Sequence, residues 1–522
     1  MRSITLLFFA GLLITVCSCR SDFETVASTG DLAFSKDTVY LDTVFTNIGS
    51  STYKLKVYNH GKNDINIPTI QLGKGLNSKY RMTVDGMQGT DGKIFNNVTL
   101  LAKDSLYIFI ETTANITDAN PTDFLYTDQI LFGNGTTEQK VELVTLIQDA
   151  YFLYPQRFDD GTTETLPIGD EEIYGFVLDE NDPINGNEYI WNNSKPYVIY
   201  GYAAVPSNKT LVVEPGAQIH FHAESGLIIG NEGSIKVNGL PSTNPENPLE
   251  NHVVFQGDRL EPIYEDVPGQ WGTIWLTQGS KNNEFTNCVI KNGVVGLLIE
   301  GNTGLSNPEA DVKLKNVQIY DHSNYGILAR TAHISGENVV INSAGQIALA
   351  CSYGGKYNFN HSTFNNNWAS SRQLSLYLNN FIEGASPEVQ PMEEATFTNC
   401  IIYGSNQIQM LIDKVDHPTF NYKFDHCLIK FNNVNNVYSD NALYQFSTDT
   451  VHYVNCIIAT NNSVANPQFL NVIKNKLIIG EDSAAKGQAN PLFAQGTFDI
   501  SGNQRLNPYD IGAYNYIIFE ED

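Results

Sequence analysis

The chain has 522 residues, of which 42% are hydrophobic and only 17% are charged, and its formal net charge is −26. This length predicts two domains, or a solenoid joined to one further domain, rather than a single small core. The excess of carboxylates makes nucleic acid a poor partner, because phosphate groups are neutralised by lysine and arginine.

Residues 1–18 have the pattern of a signal peptide. A single arginine precedes an apolar run over residues 4–16, which is too short to span a bilayer comfortably. The run ends in VCSC, which resembles a lipobox with Cys19 as the acylated residue, and the following RSDFE resembles the surface-export signal of Bacteroidetes lipoproteins. The resemblance implies an outer-membrane lipoprotein that faces the exterior, is anchored through lipid on Cys19 and has residues 19–29 as a tether.

Residues 30–150 contain short alternating segments separated by turn residues, such as YKLKVY over residues 53–58. Their lengths and spacing suit a seven-strand β-sandwich. The stretch TNIGSSTYKLKVYNHGKNDINI resembles bacterial Ig-like modules, which implies a spacer domain or, alternatively, a domain that binds a partner protein. Residues 151–210 are less regular, and we expect a linker and N-terminal cap there.

A repeat runs through residues 211–515. A polar residue followed by a β-rich triplet recurs at intervals of 22 to 38 residues, which is typical of solenoid rungs. Since rungs stack about 4.8 Å apart, the polar residues predict a ladder of hydrogen-bonded side chains, and the cysteines that follow four of them predict small buried hydrophobes. The repeated polar positions are Asn287, Asn316, Asn338, His361, Asn399, His426 and Asn455.

Two further stretches resemble known solenoids. LVVEPGAQIHFHAESGLIIGNEGSIKVNG, residues 211–239, is similar to the opening rungs of right-handed parallel β-helices. NPQFLN, EDSAAKGQANP and DIGAYNY are similar to the closing segments of bacterial β-helix repeat proteins. The resemblance implies an all-β protein with a right-handed parallel β-helix over residues 211–515 and a short tail over residues 516–522.

The richest cluster of polar and aromatic residues is the loop over residues 257–271. Crowded carboxylates repel one another unless a cation offsets them, so the loop is a candidate calcium site, and tryptophan rings nearby are candidates for stacking on sugars. The candidate ligand-binding residues are Asp258, Glu261, Glu265, Asp266, Trp271 and Trp275, and Arg259 is a candidate catalytic residue.

The longest interval of the repeat, between His361 and Asn399, is the second candidate. Insertions in solenoids map to loops on one face, which is often the binding face. Trp368 is a candidate for ligand binding there, and His361 with Arg372 could act as a base and a carboxylate neutraliser. His361 also occupies a ladder position, which favours a structural role.

Hydrolases that resemble polygalacturonases carry paired aspartates in N-T-D, D-D and H-G segments, and the predicted β-helix contains none of these. The sequence therefore favours a surface lipoprotein that binds a glycan or another surface or extracellular component, such as a surface protein, without catalysis. Two alternatives stay open, namely a polysaccharide lyase or glycoside hydrolase acting on acidic polysaccharide, and a structural or assembly protein of the envelope.

Overall fold

The computed structural model describes residues 25–244, 246–301, 308–368, 370, 372–384, 386–416, 419–461 and 463–520. The predicted signal peptide and Cys19 lie outside these residues. Among the described residues no helix is both long and apolar enough to cross a membrane. The chain divides into two compact units, residues 1–149 and 150–522, and each has its own hydrophobic core.

The first unit is built from ten strands. These are β1 (Val26–Ala27), β2 (Ala33–Phe34), β3 (Thr38–Phe45), β4 (Tyr53–Tyr58), β5 (Ile65–Leu72), β6 (Tyr80–Val84), β7 (Ile94–Leu100), β8 (Ser105–Thr112), β9 (Leu125–Phe132) and β10 (Gln139–Gln148). Single turns of 3-10 helix cover Gly75–Asn77, Ile116–Asp118 and Gly135–Thr137.

Two sheets share the core of this unit. Strands β1, β5, β9, β10, β3 and β7 form one sheet, and β2, β4, β8 and β6 form the other. Alternation decides which side chains are buried, since Leu106, Ile108 and Ile110 of β8 point inward while Tyr107 and Phe109 are exposed. The described part of this unit is therefore a β-sandwich. It has ten strands where the sequence predicted seven, because short edge strands carry little hydrophobic pattern and are missed in the sequence.

The second unit contains the remaining strands. These are β11 (Tyr151–Leu153), β12 (Thr165–Ile168), β13 (Glu171–Val177), β14 (Ile190–Trp191), β15 (Tyr197–Ile199), β16 (Tyr202–Val205), β17 (Thr210–Val213), β18 (Gln218–Phe221), β19 (Gly226–Ile229), β20 (Ser234–Asn238), β21 (Val253–Gly257), β22 (Ile274–Leu276), β23 (Asn283–Lys291), β24 (Val295–Glu300), β25 (Val312–His322), β26 (Tyr325–Arg330), β27 (His333–Ala344), β28 (Ile347–Ser352), β29 (Gly355–Asn360), β30 (Thr363–Asn366), β31 (Leu374–Asn379), β32 (Phe381–Ile382), β33 (Glu388–Val389), β34 (Met392–Thr398), β35 (Ile401–Gly404), β36 (Met410–Asp413), β37 (Lys423–Asp425), β38 (Leu428–Lys430), β39 (Tyr453–Val454), β40 (Ile457–Ala459), β41 (Phe469–Asn471) and β42 (Lys476–Ile479). Short 3-10 turns cover Pro262–Tyr264, Ala442–Tyr444 and Val472–Lys474, and one helical turn, α1, covers Pro491–Ala494.

Two long sheets, of 18 and 10 strands, dominate this unit. Apart from the β12–β13 hairpin their strand pairs are parallel, and equivalent residues of successive strands lie in register, as in the column Lys291, Tyr320 and Asn342. The predicted all-β fold with a parallel stack is confirmed at this level. The stack also includes strands between residues 151 and 210, where a linker and cap were expected.

The predicted side-chain ladder is present. All seven polar positions adopt a left-handed backbone conformation, with φ between 45° and 55°, which asparagine tolerates better than most residues. Asn316 donates to Asn287 at 3.0 Å and Asn338 donates to Asn316 at 2.9 Å. Asn399 pairs with His361 at 3.1 Å and Asn455 pairs with His426 at 3.2 Å. The left-handed conformation interrupts the strand pairing at each position, within β23, β25 and β27 at the first three and between successive strands at the other four.

The cysteines of the stack are unbonded, as predicted. Cys288, Cys351, Cys400 and Cys427 are buried, and Cys456 is half-buried. Burial raises the thiol pKa of Cys351 and Cys427 well above the ordinary value. They therefore behave as small core hydrophobes.

The closing segment, residues 463–517, does not add rungs to the stack. It runs back over the outer face of the 18-stranded sheet, where Leu477 and Tyr514 pack against the outward-facing Val289 and Val340. Arg505 donates to Asn338 Oδ1 at 2.9 Å, so the segment also reaches the ladder. This position of the closing segment creates one wall of the site described next.

Candidate functional site

A cavity of about 980 Å³ lies on the outer face of the 18-stranded sheet. We call it the outer-face groove. Its floor is formed by outward-facing side chains of β18, β21, β23 and β25, which are consecutive strands in register. The floor residues are Gln218, Val254, Gln256, Val289, Lys291, Gln318 and Tyr320.

Three segments form the walls. The connection between β20 and β21 contributes residues 241–244 and 247–250, the loop over residues 257–271 contributes Glu265 and Asp266, and the closing segment contributes Lys474, Asn475, Lys476 and Tyr514. The first two walls are loops that leave the stack between rungs, in keeping with the tendency of solenoid insertions to gather on one face, whereas the third follows the last rung.

Three polar groups on the floor have no hydrogen-bond or ion-pair partner among the described residues. The amides of Gln218 and Gln256 and the ammonium of Lys291 form no hydrogen bond or ion pair with the part of the chain that the structure describes. They lie on three consecutive strands and are half-buried beside Val254 and Val289, which are neighbours in one column of the stack. Polar groups in this position are available to a ligand, because they line the cavity and no other described side chain engages them.

The loop over residues 257–271 is held against the stack by side-chain amides. Asn292 donates to the carbonyl oxygens of Glu265 and Val267 at 2.9 and 3.0 Å. Gln270 donates to the carbonyl oxygens of Tyr264 and Val267 at 2.7 and 2.8 Å. These bonds turn the loop so that Glu265 and Asp266 border the groove.

Two carboxyl groups meet at the groove wall. Asp321 follows Tyr320 within β25 and has a left-handed backbone conformation. Asn292 and Ser343 occupy the same position in the neighbouring rungs. Its Oδ2 accepts a hydrogen bond from Asn475 Nδ2 at 2.8 Å. Asp266 Oδ2 lies 2.9 Å from Lys474 Nζ. Residues 474 and 475 thus bring the two aspartates to one side of the groove.

The environment of Asp321 changes its acidity. The side chain is only 7% exposed. Its pKa is raised from 3.8 to about 7, chiefly because burial disfavours the charged form; the hydrogen bond from Asn475 opposes the shift and the charge of Asp266 reinforces it. At neutral pH the groove therefore holds a carboxyl group that exchanges its proton readily.

The carboxylates of the 257–271 loop do not converge as a calcium site requires. Asp258 Oδ2 lies 2.7 Å from His222 Nδ1, Glu261 pairs with Arg259 at 3.1 Å, and Asp266 pairs with Lys474. Arg259 and Lys474 therefore offset two of the crowded charges separately. Among the described residues no group of three or more histidine, cysteine or carboxylate side chains is arranged to hold a metal ion.

The predicted stacking role of Trp271 is wrong. The ring is 1% exposed, stacks on Phe221 with ring centroids 4.4 Å apart, and donates its indole N–H to the carbonyl oxygen of Lys291 at 2.8 Å. Trp275 is half-buried on β22 of the other long sheet and donates to Glu300, so it does not border the groove. Trp368 is half-buried outside the groove.

The second candidate cluster is not assembled with the first. His361 is 1% exposed and pairs with Asn399 in the ladder, and burial lowers the pKa of its imidazole well below the ordinary value. A neutral, enclosed imidazole fits the ladder role and not that of a base that contacts substrate. Arg372 is exposed between β30 and β31 and does not border the groove, and neither do Asp258, Arg259 and Glu261.

The groove residues that sequence reasoning missed are Gln218, Gln256, Lys291, Asp321, Lys474 and Asn475. One signal was available for Asp321, since a carboxylate there replaces the asparagine and serine of neighbouring turns. The two glutamines and the lysine carry no distinguishing pattern.

Comparisons with known proteins add little. No family model matches the sequence, and no curated protein matches it. A solved GH87 α-1,3-glucanase from Streptomyces thermodiastaticus is 12% identical over 72% of this chain and 74% of the glucanase, with a TM-score of 0.28. The E. coli chaperone DraB is 15% identical, with a TM-score of 0.16, over 23% of this chain and 57% of the chaperone. A PapD-like domain of human CEP192 is 13% identical, with a TM-score of 0.15, over 26% of this chain and 96% of that domain.

This chain thus spans little more than half of the chaperone it matches. At TM-scores this low, none of the three likenesses bears on the fold or the activity. The fold itself defines the class as an all-β protein with long parallel sheets and a groove on the outer face of one of them.

Proposed function

We propose that the second unit binds a glycan in the outer-face groove. The observation that carries the proposal is the floor, on which the unpaired Gln218, Gln256 and Lys291 lie beside the apolar Val254 and Val289. Sugars present hydroxyl groups and apolar C–H faces together, and binding sites of this size combine apolar surface with a few polar groups that fix orientation.

The charges of the walls fit a polar ligand rather than a strongly anionic one. Glu250, Glu265 and Asp266 stand beside Lys474 and Lys476 around the opening. Because the two signs are mixed, hydrogen bonds rather than net charge would select the ligand.

Affinity electrophoresis tests this proposal with gels that contain polygalacturonate, alginate, xylan, mannan, laminarin or starch. We expect at least one polysaccharide to retard the protein, and Gln256→Ala to weaken that retention about three- to tenfold through the loss of one hydrogen bond. Gln278→Ala is the matched control, since Gln278 is exposed outside the groove. Retention that is equal in both variants would show that the groove is not the binding site.

We also propose that lipid on Cys19 anchors the protein to the outer membrane, facing the exterior. The support is the signal-like run and the VCSC motif. Cys19→Ala should leave an unprocessed precursor or release the protein from the membrane fraction. Unchanged fractionation of this variant would exclude the lipid anchor.

Two finer features of the fold, the handedness of the stack and the type of the first unit, are also proposed. We infer that the stack is a right-handed β-helix, since crossovers between parallel strands are right-handed in about 98% of cases. We infer that the first unit is an Ig-like spacer, in line with the pattern of its strands. An experimental structure of the whole chain tests both inferences.

A further inference from the structure

The outer-face groove holds two carboxyl groups in unlike environments. Asp321 is almost fully enclosed, whereas the side chain of Asp266 is 41% exposed and ion-paired with Lys474. Both border the same cavity. Pairs of carboxyl groups whose surroundings favour opposite protonation states are the arrangement used for general acid and base work.

A chain of side-chain amides orients Asp321. Asn365 donates to Asn342 Oδ1 at 2.8 Å, Asn342 donates to Asn475 Oδ1 at 2.7 Å, and Asn475 donates to Asp321 Oδ2. Three rungs and the closing segment therefore fix this one carboxyl group. An asparagine at position 321 could accept the same hydrogen bond from Asn475. Holding the closing segment therefore does not by itself require a carboxyl group there.

The groups that face Asp321 come from every neighbouring element. They are Asp266 on the 257–271 loop, Lys291 on β23, Tyr320 on its own strand, Ser343 on the next rung, and Lys474 and Asn475 on the closing segment. Burial outweighs the two lysines, since the pKa of Asp321 is raised to about 7. The group therefore gains its proton as the pH falls through neutrality.

We propose that Asp321 and Asp266 form an acid–base pair that hydrolyses a glycosidic bond of the glycan held in the groove. This inference rests on the proposed glycan binding and extends it to catalysis. Asp321 donates its proton to the glycosidic oxygen as the bond from that oxygen to the anomeric carbon breaks. A water molecule bonds to the anomeric carbon and gives its proton to Asp266. The products are two shorter chains, one with a new reducing end, and a proton returns from Asp266 to Asp321 through solvent.

The full chain, incubated with the polysaccharide of the six above that retards it in gels, should release reducing ends. Asp321→Asn and Asp266→Asn should each lower the rate at least a hundredfold and keep the circular dichroism spectrum of the unmodified protein, which shows that the variants are folded. Asp482→Asn is the matched control, because Asp482 is exposed and does not border the groove. The kcat/KM of the unmodified protein should fall about tenfold per pH unit above pH 7, as Asp321 loses its proton.

The outcomes separate the two proposals. Retention without any release of reducing ends would overturn the inference and leave the glycan-binding proposal standing. Hydrolysis that survives Asp321→Asn, or that does not decline above neutral pH, would overturn the role of Asp321. No retention by any of the six polysaccharides would count against glycan binding itself, and the inference would fall with it.

Discussion

At the scale of single residues, Asp321 couples the stability of the protein to pH. Its carboxyl pKa is raised from 3.8 to about 7 in the native state. Between these two values the native protein holds a proton that the unfolded chain does not, so the free energy of unfolding falls as the pH rises from 4 to 7. Hydrolysis and stability would then respond to the same group.

The first prediction follows from this coupling. Between pH 4 and pH 8 the unmodified protein should lose up to about 4 kcal/mol in its free energy of unfolding. The Asp321→Asn variant should not show this loss. Denaturant melts at pH 4 and pH 8 measure this difference. Relative to the unmodified protein, the free energy of unfolding of the variant should be higher at pH 8 than it is at pH 4. Parallel pH profiles for the two proteins would contradict the raised pKa.

The second prediction concerns Trp271, which was predicted from the sequence to stack on a sugar but is buried in the core. Trp271→Ala should cost about 3–5 kcal/mol in the free energy of unfolding, because a buried ring and its hydrogen bond are lost. Trp275→Ala is the matched control and should cost less than half as much, since Trp275 is only half-buried. Equal costs in urea melts would show that the Trp271 ring is not enclosed.

At the scale of elements, the ladder residues combine a backbone task with a hydrogen-bonding task. Asn316 has φ of 54°, donates to Asn287 and accepts from Asn338. A residue with a Cβ and no amide would fail at both tasks, whereas glycine would fail only at the hydrogen bonds.

Asn316→Ala should therefore lower the free energy of unfolding by about 2–3 kcal/mol, through left-handed strain and lost hydrogen bonds. Asn316→Gly should cost about 1 kcal/mol less than Asn316→Ala. Urea melts of the two variants separate the contributions. If Asn316→Gly lowers the free energy of unfolding as much as Asn316→Ala or more, left-handed backbone strain does not contribute to the cost of Asn316→Ala.

At the scale of the whole molecule, the stack should unfold from its ends, because within the two long sheets each rung is hydrogen-bonded only to its neighbours. Five unbonded thiols report on this unfolding, from Cys288 near the middle of the stack to Cys456, which directly precedes the last stacked strand, β40. Only Cys456 is half-buried in the native state.

In rising urea, Cys456 should react first with a thiol reagent, and Cys288, Cys351, Cys400 and Cys427 should follow at higher concentrations. Mass spectrometry of labelled peptides measures the order, and full denaturant supplies the control in which all five react. Labelling of Cys288 before Cys456 would contradict unfolding from this end.

The sequence by itself determined the features that depend on local geometry. A left-handed turn needs a residue such as asparagine, and a short parallel strand needs a β-rich triplet, so the ladder positions and the inward cysteines could be found from their spacing. Glu265 and Asp266 were also identified, because a loop with many carboxylates interrupts the strand pattern.

Only the tertiary structure decided what those residues face. Lys474 meets Asp266 across 208 residues of sequence, and Asn475 meets Asp321 across 154, because the closing segment runs back over the sheet and adds no rung. No periodic pattern records such a return. The same holds for Trp271, whose burial depends on the direction in which Asn292 and Gln270 hold its loop. The unpaired amides on the groove floor become distinctive only once the hydrogen bonds around them are known.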